Sequence, residues 1–497
     1  MRERLKHLGT GVAIYGAGDA AIQIVNFVLL PVYVQFAFLT AADFGALALI
    51  GAIEAFSKVI NRWGLDGAFM RYYHERDEGR HRQTMTSTIV WFMLIANGAL
   101  LAATLLLSAP LAAAMSLAPG YLPALRLMLV NIALVAFTFV PFHVMRLRHE
   151  AASFSMFTFA RSVGTVLLRI VFVIGLRYGV TGVYLSDLLI TIVLLPLMWP
   201  RCRGLVTAAF SLHELRTALR FGLPRLPHGI ASQTLDGYPK LLLGRSVSPG
   251  MVGVYQNGAT LGTAVAFFKN AFETAFAPFY YATAREPDAR SVFGKMATYG
   301  VAVFVLLVAG TTAVARDLIL LLLKPDYLAA LPVVPIIACA FAIQGVYQLT
   351  SIGLNLTSRT EFYPVSTIAA AGVSVVLGLG LIPRFGLVGA AVTVLLSYAT
   401  QATVAFLLAQ RVYHVPYEHT RLARVALAGV VAAAAGRALP AMPPLAGLLA
   451  RGSLTVCAFA LVLWASGFLR ASERSFLREL WTRVTRRRAA RFSGDVE

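Results

Sequence analysis

The sequence predicts an all-α polytopic membrane protein with about fourteen transmembrane helices. Its 497 residues are 58% hydrophobic and only 13% charged, and the mean hydropathy is +0.72. A soluble domain has fewer apolar and more charged residues. Apolar stretches long enough to cross a bilayer recur along the whole chain, and basic residues collect between these stretches. Composition, spacing and charge placement therefore all indicate the same fold class.

A membrane-spanning helix needs about 20 mainly apolar residues. The first apolar stretch is too long for the core of a cleavable signal peptide, so we predict that it is the first membrane helix. The predicted spans are residues 12–38, 43–66, 86–109, 124–145, 154–176, 179–199, 218–243, 251–278, 294–318, 329–353, 362–383, 386–410, 421–441 and 449–469.

The charges between the spans predict the topology. Short cytoplasmic loops carry an excess of Lys and Arg, and alternate connecting segments are arginine-rich when the amino terminus is placed in the cytoplasm. We therefore predict that both termini are cytoplasmic. The basic tail, residues 471–497, is either a topology anchor or an amphipathic helix on anionic lipid.

An internal repeat appears when the chain is shifted by about 208 residues. Gly45 then falls on Gly253, and the segment LRYGVTG falls on PRFGLVG, which places Gly179 on Gly386. An even number of helices per repeat gives both halves the same orientation, with a pseudo-two-fold axis along the membrane normal and a substrate site between them. The predicted units are two six-helix lobes, two additional helices and the basic tail: residues 1–205, 206–415, 416–470 and 471–497.

Several charged residues within the predicted spans have possible partners nearby. An Arg or Lys at the centre of a membrane helix costs about 2.5–3.5 kcal/mol on insertion scales, so each one needs a reason. One helical face carries charges every four residues, which can pair along it, and a second span repeats the arrangement. We predict structural pairing for both sets, which are Glu54, Lys58, Arg62, Asp66, Lys269 and Glu273.

Two further pairs leave a structural and a functional interpretation open. Arg169 and Asp187 are equally far from the turn around Tyr178, so they should lie opposite each other in an antiparallel helix pair. Asp236 precedes Lys240 by one helical turn. Each pair is either a salt bridge or part of a ligand site, and Asp236 is also a candidate for ion coupling.

Arg161 and Arg225 lie inside predicted spans, and neither has an acidic residue within four positions. Arg225 lies in the stretch 219–258, which contains prolines and ionisable groups within a segment long enough to span the membrane. A membrane helix of this composition is tolerated only where it faces protein or a water-filled cavity. The two arginines either extend toward the cytoplasmic interface or face a central cavity. In the second case they make the cavity cationic together with Arg169, Lys240 and His228. Because the planar fork of arginine suits phosphate oxygens, such a cavity predicts an anionic substrate.

Two residues remain ambiguous from sequence. His228 is either protonated during transport or simply hydrogen-bonded. Asp19 in the first span either binds a coupling proton or sodium ion or caps a helix.

Other function classes are disfavoured. Three cysteines (Cys202, Cys339 and Cys457) lie far apart and indicate neither a disulfide framework nor a metal site. No phosphate-binding loop, cofactor motif or catalytic nucleophile stands out, so we predict no cofactor. The net charge of +20 does not indicate nucleic acid, because the basic residues lie between apolar stretches rather than on a soluble basic patch.

Several segments, taken in order, carry a family resemblance: TAADFGALAL, LRFGLPRLPHGIASQTLDGYPKLLLGRS, KPDYLAALPVVPII and LIPRFGLVGAAVTVLLSY. Over about residues 8–415 the chain resembles the Wzx-type polysaccharide flippases of the multidrug/oligosaccharidyl-lipid/polysaccharide (MOP) superfamily. It departs from the usual pattern at Arg225 and His228, where such proteins are apolar, and at Pro239 before Lys240.

The resemblance implies two lobes around a central cavity, as in the MATE transporters of that superfamily. It implies movement of an undecaprenyl-diphosphate-linked oligosaccharide between leaflets of the bacterial inner membrane, by alternating access without ATP hydrolysis. Polysaccharide polymerase and chain-length proteins are the further partners it implies, in O-antigen or exopolysaccharide synthesis.

Three alternatives remain. A flippase for the peptidoglycan lipid precursor has a similar architecture with extra helices. A cation-coupled multidrug exporter would need an acidic cavity. A membrane polymerase or ligase would need a long external loop with catalytic charges, whereas every external loop here is short. We therefore predict a transporter rather than an enzyme.

Overall fold

The computed structural model describes residues 29–73, 79–148 and 150–470, and every regular element in these ranges is helical. Asp19 and the predicted basic tail lie outside them. Residues 29–35 are helical, and the helices that follow are α1 (Ala41–Ile60), α2 (Leu65–Tyr72), α3 (Gly79–Leu106), α4 (Ser108–Ala114), α5 (Leu122–Val135), α6 (Phe139–Leu147), α7 (Ala151–Arg169), α8 (Gly179–Met198), α9 (Leu212–Gly222), α10 (Leu226–Ser246), α11 (Pro249–Gly262), α12 (Ala264–Thr283), α13 (Ala289–Leu322), α14 (Val333–Thr350), α15 (Ile352–Leu356), α16 (Phe362–Val412), α17 (His419–Ala438) and α18 (Pro444–Ala465).

The protein is therefore an all-α polytopic membrane protein, as predicted. Within the described ranges, eight helical segments are long and apolar enough to cross a membrane: Gly79–Leu106, Pro119–Leu147, Ala151–Gly175, Gly179–Cys202, Ala289–Leu322, Val333–Leu356, Phe362–Val412 and Pro444–Ala465. They contain nine of the fourteen predicted spans, because Phe362–Val412 holds two. The other described spans form shorter or more polar helices, so the count of fourteen stays a prediction.

Helix α16 folds back on itself at Gly386. The side-chain amide of Gln401 donates to the hydroxyl of Thr367 at 3.1 Å, although 34 residues of straight helix would be about 51 Å long. Gly386 has a φ of +52°, in the left-handed region that glycine occupies without steric cost. Gly179, which the repeat places at the same position, has a φ of +56°. Both hairpin turns therefore contain a glycine with a positive φ.

Several predicted spans are divided between two helices, among them 43–66 and 251–278. The span at 43–66 ends at Ile60 and resumes in α2, with Gly64 at a φ of +67° between the two helices. A Cβ at Gly64 would lie 2.3 Å from the carbonyl oxygen of Gly222, so the bend lets the chain pass directly against the end of α9. The span at 251–278 divides at Thr263, whose hydroxyl donates to the carbonyl of Thr260 at 2.7 Å.

Helices α1 and α11 touch through their backbones. A Cβ added at Gly45 would lie 2.0 Å from the carbonyl oxygen of Pro249, and one added at Gly253 would lie 1.8 Å from that of Ala41. The repeat pairs Gly45 with Gly253 and Ala41 with Pro249, so the contact is reciprocal. A two-fold axis produces this kind of self-complementary contact. The two lobes and their symmetry stay predictions, which this contact supports.

The last two helices pack on α13 around a buried ion pair. The Nη1 atom of Arg451 on α18 lies 2.5 Å from both carboxylate oxygens of Asp317 on α13. Its Nη2 atom donates to the carbonyls of Leu439 and Pro440 at 3.3 and 2.8 Å. Because removing one partner of a buried ion pair typically costs about 3–5 kcal/mol, we expect this pair to hold α18 in place.

Candidate functional site

Two adjoining cavities form a passage beside α1 and α10. The inner cavity has a volume of about 560 Å³ and reaches from Tyr33 to Lys240. The basic cavity has a volume of about 810 Å³ and lies toward the carboxyl end of α1, around Arg62 and Arg225. Both cavities are lined by Gly51, Ala55 and Gln233, so they are continuous along one side. Under the predicted topology, the basic cavity is the cytoplasmic end of the passage.

An ionic ladder runs from α1 through the following turn to the start of α2 and lines the basic cavity. Thr40 caps α1 in a reciprocal capping box with Asp43, which fixes where the helix begins and therefore which face looks inward. The Lys58 ammonium lies 2.6 Å from Glu54, and Arg62 lies 3.9 Å from Asp66. The side chains of Lys58 and Arg62 are nonetheless 48% and 49% exposed. These residues pair, and they also line the passage.

The charges of the inner cavity are compensated. The Arg169 Nη2 atom donates to both carboxylate oxygens of Asp187 at 3.0 Å, which joins α7 to α8. The ammonium of Lys240 lies 2.7 Å from Asp236 on the same helix. Arg169, Asp236 and Lys240 line the cavity, but each of these cations already faces a carboxylate.

Two arginines of the basic cavity have no carboxylate within 4 Å among the residues that the structure describes: Arg225 and Arg146. The guanidinium of Arg225 lies 5.2 Å from the Phe221 ring centre, and that of Arg146 lies 4.7 Å from the Phe154 ring centre. A Cβ added at Gly67 would meet Arg225 Nη1 at 2.2 Å, so Arg225 rests on bare backbone. Stacking uses the faces of the guanidinium and leaves N–H groups on its edges for an anion.

The structure brings three of the five predicted cavity cations into the passage: Arg169, Arg225 and Lys240. The other two, Arg161 and His228, are not among the lining residues. Arg161 on α7 is within electrostatic range of Asp187 and Glu54. His228 is half-buried on α10, where its Nδ1 atom has no hydrogen-bond partner within the described part of the chain.

The predicted pair on α12 is arranged differently from a ladder. The Lys269 ammonium bonds the side-chain oxygen of Gln344 at 3.0 Å, and the Glu273 carboxylate accepts from Gln348 at 2.5 Å. Both glutamines lie on α14, one helical turn apart. Lys269 and Glu273 therefore join two helices instead of pairing with each other, and neither lines the passage.

Sequence reasoning missed Arg146 and the neutral side chains Gln233, Gln256 and Asn257. Arg146 looked like an ordinary cytoplasmic-loop residue, and an isolated amide gives no sequence signal. Only the folded chain brings Arg146 and Arg225 into one cavity. Among the described lining residues, six basic side chains face three carboxylates: Lys58, Arg62, Arg146, Arg169, Arg225 and Lys240 against Glu54, Asp66 and Asp236. Asp187 does not line the passage but compensates Arg169, so the passage is cationic by two charges.

Residues 36–332 match a family model described as "Polysaccharide biosynthesis protein". The chain is also similar in structure to the lipid II flippase MurJ in an inward closed conformation, with a TM-score of 0.68 and 11% identity, over 90% of this chain and 98% of that one. An inward-facing multidrug resistance MATE family transporter of the MOP superfamily gives a TM-score of 0.58 at 15% identity, over 81% and 95%. The MATE multidrug transporter DinF-BH gives 0.55 at 17% identity, over 82% and 95%.

At these identities the likeness shows a shared fold, which confirms the predicted MATE-like architecture. Among curated proteins, no sequence matches this chain.

Proposed function

The chain belongs to the polysaccharide biosynthesis protein family, and from that premise we propose that it is a flippase for an undecaprenyl-diphosphate-linked oligosaccharide in the bacterial inner membrane. The observation that carries the proposal is the cationic passage, with two uncompensated arginines at its basic end. The substrate's diphosphate is the anion that this end would bind.

The chemistry of the basic cavity suits a diphosphate. Arg225 and Arg146 have free guanidinium edges, and arginine binds phosphate oxygens through two parallel hydrogen bonds. Lys58 and Arg62 add exposed positive charge, although each is partly compensated by its own carboxylate. A cation-coupled multidrug exporter would attract cationic drugs with a surplus of acids, and this lining has the opposite balance.

The contacts between helices suit alternating access. Helix α10 packs against α1 through glycines: a Cβ at Gly229 would meet Val59 at 2.7 Å, and one at Gly237 would meet Phe56 at 3.1 Å. We propose that the contact between Gly45 and Gly253 closes the far end of the passage. Interfaces of small residues let backbones approach closely without interlocking long side chains. We propose that these contacts separate and re-form during transport, with Asp236 as a candidate for ion coupling.

The proposal is tested by deleting the gene in its source cells and measuring lipid-linked oligosaccharides by mass spectrometry and leaflet-specific probes. We expect one repeat unit to accumulate on undecaprenyl diphosphate, with its glycan accessible only from the cytoplasmic side, and the restored gene to relieve this. Unchanged lipid-linked intermediates, in a strain without a redundant flippase, would contradict the proposal. The accumulated mass would identify the sugar repeat, and with it the polymerase that acts on the product.

The likeness to MurJ favours one second candidate, a flippase for the peptidoglycan lipid precursor. The same experiment separates the two. That precursor carries a peptide on its sugars, so the accumulated lipid would differ in mass from one that carries a peptide-free oligosaccharide.

A further inference from the structure

The inner cavity holds buried polar groups without partners. Tyr33, on the helical residues 29–35, is only 8% exposed, and its hydroxyl has no hydrogen-bond partner within the described part of the chain. The side-chain oxygen of Gln256 on α11 is likewise buried and unpartnered, while its nitrogen lies 3.4 Å from the hydroxyl of Thr260. Both residues line the inner cavity. A buried polar group left unsatisfied costs about 1–3 kcal/mol, so these two need an explanation.

The two cavities differ in the charge they offer. In the inner cavity, Arg169 and Lys240 are each bonded to a carboxylate, so a phosphate there would have to compete with Asp187 or Asp236. In the basic cavity, Arg225 and Arg146 face no carboxylate among the described residues. The passage thus separates neutral hydrogen-bonding groups from free positive charge.

The inner cavity has the composition of a sugar site. Sugar hydroxyls both donate and accept hydrogen bonds, so they would satisfy the Tyr33 phenol and the Gln256 oxygen. Phe44 and Phe267 also line this cavity and supply apolar faces. Its volume of about 560 Å³ falls within the range of about 300–1,000 Å³ typical of ligand sites.

We infer that the passage binds its substrate in one orientation, with the diphosphate in the basic cavity and the glycan in the inner cavity, where Tyr33 and Gln256 hydrogen-bond sugar hydroxyls. This inference rests on the proposed function and extends it. Tyr33 precedes α1 and Gln256 lies on α11, so the glycan contacts both predicted lobes. These two side chains are therefore specificity-determining residues for the sugar, whereas Arg225 recognises the lipid carrier.

The test measures dissociation constants of the full-length protein in nanodiscs by native mass spectrometry, which identifies each bound lipid by mass. One probe is undecaprenyl diphosphate without sugar, and the other is the pool of lipid-linked oligosaccharides extracted from the deletion strain. The variants are Tyr33→Phe, Gln256→Leu and Arg225→Gln. Tyr255→Phe is the matched control. Tyr255 immediately precedes Gln256 on α11 and also has a buried hydroxyl without a partner among the described residues, but it does not line the passage.

We expect Tyr33→Phe and Gln256→Leu each to weaken binding of the glycan-bearing probe by about 3- to 10-fold and to leave binding of bare undecaprenyl diphosphate unchanged. Arg225→Gln should weaken binding of both probes, and Tyr255→Phe should weaken binding of neither. Unchanged binding of the bare lipid also shows that the Tyr33→Phe, Gln256→Leu and Tyr255→Phe variants are folded, and thermal unfolding shows it for Arg225→Gln.

Equal losses for both probes, or unchanged binding of the glycan probe in the Tyr33 and Gln256 variants, would overturn the assignment of the inner cavity and leave the proposed function standing. Failure of the unmodified protein to bind either lipid would overturn the proposed function itself.

Discussion

The close approach of Arg225 to Gly67 allows the role of this arginine to be tested without removing it. In Gly67→Ala, the new Cβ would lie 2.2 Å from Arg225 Nη1, well inside the distance of about 3.5–4.0 Å that suits non-bonded atoms. The guanidinium must therefore move by more than about 1 Å. Since the clash involves the end of a flexible side chain, the helix itself is not disturbed.

Stability and binding should then change in opposite directions. Gly67 lies inside α2, and replacing a helical glycine by alanine stabilises by up to about 1 kcal/mol. A displaced guanidinium loses charge-assisted hydrogen bonds worth about 1.5–3 kcal/mol, which corresponds to binding that is about 10- to 100-fold weaker. We expect Gly67→Ala to unfold at the same or a higher temperature while its affinity for undecaprenyl diphosphate falls by that factor.

The matched control is Gly98→Ala on α3, where an added Cβ would meet nothing within 4 Å. It should gain stability and leave binding unchanged. The assays are thermal unfolding in detergent and native mass spectrometry of the lipid complex. Wild-type affinity in Gly67→Ala, with the fold intact, would refute the assignment of Arg225 as a diphosphate ligand.

Three further outcomes follow from particular contacts. Asp317→Leu should lower the free energy of unfolding by about 3–5 kcal/mol, because it leaves Arg451 buried without its carboxylate. The double variant Asp317→Leu with Arg451→Met should recover much of that loss in thermal unfolding. No recovery would argue against the ion pair as the cause. Gly253→Ala forces α11 away from the carbonyl of Ala41. A cysteine placed at Ala41 should therefore react faster with a membrane-impermeant thiol reagent. An unchanged reaction rate would mean that the contact does not close the passage. Gln401→Leu should cost about 1 kcal/mol in thermal unfolding by removing the bond between the arms of α16, and a neutral effect would show that the turn alone sets the hairpin.

The backbone turns could be predicted from sequence because their signals are local. The repeat placed Gly179 on Gly386, and both glycines adopt a left-handed φ at the turns of helical hairpins. The pairing of Arg169 with Asp187 followed from their equal distance from one such turn. Residue spacing is sufficient in these cases, since the geometry of an antiparallel helix pair determines which side chains meet.

The lining of the passage could not be predicted in the same way. Tyr33 and Gln256 face one cavity only because α11 lies against the start of α1. No sequence pattern near either residue predicts that contact. The break at Thr263 was missed because a threonine that bonds its own helix also occurs within uninterrupted helices. Arg146 directly follows the predicted span 124–145, and charge counting does not distinguish a residue facing lipid headgroups from one facing a cavity.

The buried pair of Asp317 and Arg451 also constrains how the protein is made. The two residues are 134 positions apart, so at about 5–20 residues per second the carboxylate waits roughly 7–27 s for its partner to leave the ribosome. A carboxylate at the centre of a membrane helix costs about 2.5–3.5 kcal/mol; Asp317 lies nearer the end of α13, so its cost is smaller but still disfavours contact with lipid during that interval. We expect nascent α13 to stay at the insertion machinery or beside earlier helices until α18 arrives. A chain truncated before Pro444 would then be a substrate for membrane proteolysis, because Asp317 would never meet Arg451.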